Sequence, residues 1–193
     1  MTAVAAVRYL AVRYLIDKSS SRFTVRAFAT GMLSSLGHSP TLAIRDFEGE
    51  LEFSPENLGA GSLRLRVKAD SLEVTDDIKS KDREEMESTM NKSVLESAKY
   101  PEIVFATSSV SASQLGEGRY QANLNGILTM HGVSRPVAIP AQVTLMGDML
   151  RAGGEFPILQ SSFGIAPVSV AGGTLKLKDE LKFAFDIVAR KQD

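Results

Sequence analysis

The chain has 193 residues, of which 44% are hydrophobic and 23% charged, a composition typical of one globular domain with a substantial core. Its 22 Lys and Arg residues against 23 Asp and Glu leave a net charge of -1, so no long-range positive field draws it to nucleic acid or to an anionic membrane. The lack of cysteine excludes thiol nucleophiles, disulfides and thiolate metal sites.

The N-terminal residues predict a short extension before the folded domain. Val7-Arg-Tyr-Leu10 recurs as Val12-Arg-Tyr-Leu15, and only the second copy leads into a strand. We therefore expect residues 1–12 to form a poorly ordered extension and residues 13–190 to form the domain. The apolar run before Arg8 is shorter than a signal-peptide core, and no stretch approaches the roughly 20 apolar residues that span a bilayer. These features predict a cytoplasmic protein without a membrane span.

Alternation of apolar and polar residues dominates the rest of the chain and is typical of half-buried strands. In the clearest instance, Leu63, Leu65 and Val67 alternate with cationic residues. The pattern predicts eight strands, at about residues 22–27, 47–53, 63–69, 103–109, 120–128, 137–145, 150–158 and 181–187. Tight turns at Gly132-Val133 and Gly147-Asp148 predict antiparallel neighbours. Closure of eight such strands removes exposed edges, so we expect an antiparallel barrel.

Prolines and one charged segment interrupt this pattern. Pro136 and Pro140 lack a backbone donor and are expected at a strand start, an edge or a bulge. Residues 76–95 predict a helix that caps one end of the barrel, with Ser80 as its N-cap. Its apolar stripe consists of Ile78, Met86, Met90 and Val94. Because Lys81 and Arg83 are interspersed, a solvated helix face is favoured over a metal site for Asp82, Glu84, Glu85 and Glu87.

The inward-facing residues predict an interior that is almost wholly apolar. Small residues at Ala27, Gly49, Ala122 and Gly126 leave room for a ligand. A fully packed barrel that acts through its surface, as a stress-associated interaction module, remains an alternative.

Evidence for catalysis is sparse, and no cofactor or metal site is predicted. The only histidines, His38 and His131, are far apart, and no nucleophile elbow, phosphate-binding loop or zinc-binding helix is present. His131 precedes a hairpin turn and is expected to have a structural role. His38 is a candidate anchor for a ligand head group, or an acid-base group in the less favoured enzyme hypothesis, although a purely local role remains the simpler interpretation.

Four segments carry a family resemblance. Leu128-Thr-Met-His-Gly-Val-Ser-Arg-Pro-Val137 resembles the signature hairpin of the YceI-like family, and Ala98-Lys-Tyr-Pro-Glu-Ile-Val-Phe105 resembles the strand entry that follows its helix. Residues 160–165 and 181–190 are similar too. The resemblance implies an extended lipocalin-like barrel of eight antiparallel strands with an elongated cavity and no catalytic residues.

This resemblance and the apolar interior together predict non-catalytic binding or carriage of a polyisoprenoid, an isoprenoid quinone or a fatty-acid-like molecule. Polar groups near His38, Ser39 or the 160–163 loop are expected to provide specificity. No nucleic-acid partner is expected, and a homodimer is left open. The predicted ligand-binding residues are Phe23, Leu36, His38, Leu51, Phe53, Leu65, Val67, Met86, Met90, Phe105, Leu124, Leu128, Val137, Ile139, Phe163, Phe183 and Phe185.

Overall fold

Long antiparallel strands form most of the molecule. The computed structural model describes residues 11–30, 39–170 and 175–192. Its strands are β1 (Val12–Ile16), β2 (Arg22–Arg26), β3 (Ala29–Thr30), β4 (Thr41–Ile44), β5 (Phe47–Phe53), β6 (Ser62–Lys68), β7 (Leu72–Val74), β8 (Glu102–Gly116), β9 (Arg119–Met130), β10 (Val133–Met146), β11 (Met149–Leu159), β12 (Ser169–Val170), β13 (Leu175–Leu177) and β14 (Glu180–Lys191). Helix α1 (Ser80–Thr89) continues into a π-helical turn, Met90–Val94.

Eight strands close into a barrel, which confirms the predicted fold class. They pair in the order β1-β5-β6-β8-β9-β10-β11-β14, and β14 pairs back to β1 through Tyr14 opposite Lys191. All of these pairings are antiparallel. Strands β2, β4 and β7 extend the sheet beyond β1, β5 and β6, after short interruptions of the chain's strand structure. Strand β2 pairs with the same edge of β14 as β1 does. The second Val-Arg-Tyr-Leu copy is therefore itself a barrel strand, and residues 1–10 lie outside the described chain.

The hairpin turns follow from the residues at their centres. Met130 pairs with Val133, so the β9–β10 turn consists of His131 and Gly132, which have φ of 52° and 73°. Two positive φ values define the type I′ turn that matches the twist of adjacent strands. Gly147, at φ 58°, opens the β10–β11 turn between Met146 and Met149.

Both prolines lie inside β10, which begins four residues earlier than its predicted start at Val137. Pro136 and Pro140 pair with Ile127 and Asn123 of β9. The pairing of β10 with β11, however, begins only at Gln142 opposite Gly153. The two prolines therefore occupy the part of β10 that is paired on one side, where a missing donor costs no ladder hydrogen bond.

Helix α1 packs beside β7, the last strand of the β2-β4-β7 extension. The Glu87 carboxylate accepts a 2.9 Å hydrogen bond from the Val74 amide on this strand, and Arg83 donates to the Asp76 carbonyl at 2.9 Å. The Ser80 prediction was wrong, because Lys79 occupies the N-cap position with extended backbone and Ser80 is the first helical residue. None of the helices in the described part of the chain is long and apolar enough to cross a membrane.

Carboxylates on the outer surface connect neighbouring strands. Asp46 forms ion pairs with Lys18 and, at 2.7 Å, with Lys68. Hydrogen bonds from these two ammonium groups lower the pKa of Asp46 to about 2. Ser19, Arg190 and Ser20 likewise hold the pKa of Asp17 well below its usual range.

These depressed pKa values predict a loss of stability in acid. A carboxyl whose folded pKa lies below its unfolded value stabilises the fold above the unfolded pKa, and this contribution is lost as the pH falls through the folded pKa. We expect the melting temperature to fall between pH 4 and pH 2, and to fall less over that window in Asp46→Asn. Circular dichroism melts at pH 7, 4, 3 and 2 measure this. Parallel curves for the two proteins would contradict the role of Asp46.

Candidate functional site

A cavity of about 490 Å³ runs through the barrel interior. It passes between two core clusters, one containing Phe23, Phe105 and Leu128, and the other containing Phe53, Ala141 and Leu150. Pockets that bind drug-sized ligands have volumes of about 300 to 1,000 Å³. The interior is therefore not filled by side chains, and the packed-barrel alternative does not describe this structure.

Alanines on adjacent strands explain part of the open volume. Ala112 of β8 lies opposite Ala122 of β9, and Ala122 lies opposite Ala141 of β10. Ala122 and Ala141 line the cavity, together with Ala152 of β11. A methyl group at these inward positions reaches a short distance into the lumen, so this row leaves space that larger side chains would occupy.

Most of the predicted ligand-binding residues lie on the cavity wall. They come from six barrel strands, from β2 and from the helical segment, and they are Phe23, Leu51, Phe53, Leu65, Val67, Met86, Met90, Phe105, Leu124, Leu128, Ile139, Phe183 and Phe185. The structure thus gathers residues from distant parts of the sequence around one lumen. Leu36 and His38 lie outside the described residues.

Three other predicted positions do not line the cavity. Phe163, only 2% exposed, and Val137 pack into the core around Phe105 without reaching the lumen. The Ser39 hydroxyl accepts a 3.2 Å hydrogen bond from the Ala29 amide, so it fixes the chain beside β3. All three side chains therefore contact other parts of the protein and not the cavity.

Two glycines that were predicted to leave space in the cavity, Gly126 and Gly49, are instead in close contact with neighbouring residues. A Cβ atom at Gly126 would lie 2.4 Å from the Ala106 carbonyl oxygen and 2.7 Å from the Phe105 ring. At Gly49 it would lie 2.6 Å from the Ile16 side chain. Both glycines permit close packing within the wall, whereas Ala27 and Ala122 do border the lumen.

Aromatic and helical residues complete the wall. The ring of Phe156, which was not among the predicted site residues, stacks on Phe183 at 5.6 Å between centroids. From the helical segment, Met86, Met90 and Val94 reach the lumen, as the apolar stripe predicts. Ile78, predicted as part of the same stripe, precedes the helix and lies away from the cavity.

Few polar side chains border the lumen. Asp82, Glu85 and Thr89 do so from α1, and all three are exposed, in keeping with the predicted solvated face of this helix. Glu52 and Ser62 border the cavity where β5 leads to β6. The pairing of β6 with β8 ends at Arg64 opposite Ala106, and β8 continues beyond this point. The 3₁₀ turn Leu58–Ala60 packs against β8.

Gln160 is the buried polar residue of the wall. Its side chain belongs to the 3₁₀ turn Gln160–Phe163, and the residue is 4% exposed. Its Nε2 atom donates to the carbonyl oxygens of Lys178 and Asp179, at 3.0 and 3.4 Å. The predicted specificity loop at 160–163 thus contributes one polar side chain to the cavity.

His131 connects two segments that adjoin the cavity, which agrees with its predicted structural role. Its Nε2 atom lies 2.7 Å from the Glu96 carboxylate and its Nδ1 atom 3.3 Å from the Phe163 carbonyl oxygen. The imidazole also packs on the Tyr100 ring, at 4.5 Å between centroids. Glu96 and His131 are the non-glycine residues with positive φ among those described. Their contact fixes the end of the helical segment to the β9–β10 turn.

Removal of this contact is expected to destabilise the fold. We expect His131→Asn to lower the free energy of unfolding by about 1 to 3 kcal/mol, because a partly buried hydrogen bond to a charged group is lost. Asparagine suits the positive φ of this turn, so backbone strain does not account for the change. Urea unfolding followed by circular dichroism measures it, and an Asn variant as stable as the parent protein would exclude the proposed connection.

A closed antiparallel barrel with an apolar lumen and a flanking helix is a lipocalin-like barrel. The profile of the YceI-like domain matches residues 14–189. The chain belongs to the YceI-like family.

Known relatives and solved structures agree with this assignment. The chain is 28% identical over 195 residues to a UPF0312 protein of Pseudomonas savastanoi pv. phaseolicola, covering 97% of this chain and 92% of the relative. It is similar in fold to Burkholderia cenocepacia BcnA, with a TM-score of 0.70 at 20% identity, covering 90% of this chain and 98% of BcnA. A polyisoprenoid binding domain from Saccharophagus degradans gives a TM-score of 0.63 at 13% identity, covering 94% and 99%.

Proposed function

We propose that this protein binds and carries a long apolar or amphiphilic molecule, of the polyisoprenoid, isoprenoid quinone or fatty-acid-like class, without catalysis. The observation that carries the proposal is the apolar cavity of about 490 Å³, which extends past both core clusters. A cavity of this volume with an almost wholly apolar wall matches a long apolar chain in size and in polarity.

The physical basis of binding is burial of the chain. Each methylene removed from water contributes about 0.8 kcal/mol, so ten methylenes give about 8 kcal/mol before the costs of association. No special chemistry is required for such a ligand. The aromatic wall formed by Phe23, Phe156, Phe183 and Phe185 supports this role.

The family supports the class of ligand. The Saccharophagus degradans relative in fold is described as a polyisoprenoid binding domain. The alternative of an interaction module without a ligand requires a filled interior, and the cavity weighs against it.

A titration with geranylgeraniol tests the proposal. Native mass spectrometry of the intact chain is expected to show a complex with one geranylgeraniol molecule per chain, saturating at micromolar concentrations. A protein that stays in the bare form with geranylgeraniol and with acyl chains of similar length would refute the proposed function.

A further inference from the structure

The orientation of Gln160 leaves an acceptor for a ligand. Both neighbours of the Gln160 amide nitrogen are backbone carbonyl oxygens, which can only accept hydrogen bonds. The amide nitrogen therefore faces Lys178 and Asp179, and the carbonyl oxygen Oε1 faces away from them. Among the described residues no donor reaches Oε1. An acceptor on a side chain that is more than nine-tenths buried favours a ligand that brings its own donor.

The charges around the lumen have one sign. Its ionisable wall residues are Glu52, Asp82 and Glu85, and no Lys or Arg is among the described residues that border it. A carboxylate or phosphate entering this cavity would lose its hydration without gaining a cationic partner, which is strongly unfavourable.

We propose, on the basis of the proposed function, that the cavity selects a chain with an uncharged hydroxyl head group over chains ending in a carboxylate or a phosphate. Gln160 Oε1 accepts the hydrogen bond of the hydroxyl. The carboxylates of Asp82 and Glu85 disfavour anionic head groups beside α1. Selection thus arises from one buried acceptor and from wall carboxylates that have no Lys or Arg beside them among the described lining residues.

Three ligands with the same chain separate this selection from binding itself. Geranylgeraniol, geranylgeranoic acid and geranylgeranyl phosphate are titrated at pH 7.5 by native mass spectrometry and by displacement of a fluorescent apolar probe. We expect the alcohol to bind at least tenfold more tightly than either anion. Equal or tighter binding of the acid overturns the selection and leaves the proposed function standing. Failure of all three to bind, together with failure of acyl chains of similar length, refutes the proposed function instead.

A substitution at Gln160 tests whether its side chain causes the preference for an uncharged head group. Gln160→Met is expected to weaken binding of geranylgeraniol about tenfold more than it weakens binding of the matching hydrocarbon, which lacks the hydroxyl. Equal affinities of the variant and the parent protein for geranylgeraniol overturn the role of Gln160. Because Gln160 also donates to two backbone carbonyls, a melting curve of each variant accompanies the titration, and the parent-protein series decides the selection if Gln160→Met does not fold.

Exposed carboxylates provide a second pair of variants. Asp82→Asn combined with Glu85→Gln is expected to raise affinity for geranylgeranoic acid several-fold, with a larger effect at low ionic strength. The matched control is Glu84→Gln, because Glu84 lies on the same helix, is exposed and does not border the cavity. An unchanged ratio of alcohol to acid affinity in the double variant overturns the role of these carboxylates.

Discussion

Replacement of Ala141 by phenylalanine is expected to lower affinity for geranylgeraniol about a hundredfold while the barrel remains folded. Ala141 is 3% exposed and lies in the alanine row that borders the lumen. A phenyl ring there displaces about four methylenes of the ligand, which at about 0.8 kcal/mol each removes about 3 kcal/mol of binding free energy. Every 1.4 kcal/mol corresponds to about a tenfold change in Kd. Probe displacement measures the effect.

The same strand offers a matched control. Ala138 belongs to β10 as well, but the alternation of the strand places it on the exposed outer face. Ala138→Phe adds the same ring and should leave affinity within about a factor of two. Equal losses in both variants would show that the ring disturbs the strand rather than fills the cavity. Unchanged affinity in Ala141→Phe would place the ligand elsewhere.

Replacement of Gly154 by alanine is expected to lower the free energy of unfolding by about 3 kcal/mol. A Cβ atom at Gly154 would lie 2.3 Å from the Pro140 carbonyl oxygen and 2.9 Å from the Phe185 ring. The backbone oxygen cannot move without shifting β10 against β11, so the strain is not relieved locally. At roughly 2 to 4 °C per kcal/mol, the melting temperature should fall by about 6 to 12 °C.

Gly153→Ala is the matched control for Gly154→Ala, because it makes the same substitution at a position where the added Cβ atom does not clash. The nearest neighbour of a Cβ atom at Gly153 would be the Phe185 carbonyl oxygen, at 3.5 Å. Gly153→Ala should therefore leave stability unchanged or raise it by up to about 1 kcal/mol, because alanine reduces the freedom of the unfolded chain. Similar melting temperatures for the two variants would contradict the contact at Gly154.

The alternation of apolar and polar residues predicts most of the strands. It does not predict where the strands are interrupted by turns. The apolar residues of β6 and β9 identify strands because one face is buried and one is wet. The turn after β1 depends on Ser21, whose buried hydroxyl accepts from the Val188 amide at 2.9 Å and donates to the Val188 carbonyl. That partner is 167 residues away in sequence, so a local pattern could not predict it.

The cavity could be predicted only in part for the same reason. Alternation shows that Leu124 and Phe185 face inward, but the open volume depends on which inward residues meet across strands. Register places Ala122 between Ala112 and Ala141 and so leaves space, whereas it places Gly126 beside Phe105 and so fills it. The buried acceptor of Gln160 became evident only when Lys178 and Asp179 were found at its amide nitrogen.

Mass spectrometry of molecules extracted from the freshly purified protein tests the central claim most directly. The account predicts that organic solvent releases a long-chain isoprenoid or acyl compound, in an amount approaching one molecule per chain from the parent protein and sharply reduced in Ala141→Phe. Extracts that contain no such compound, or contain it equally in both proteins, would contradict the claim that the lumen holds it.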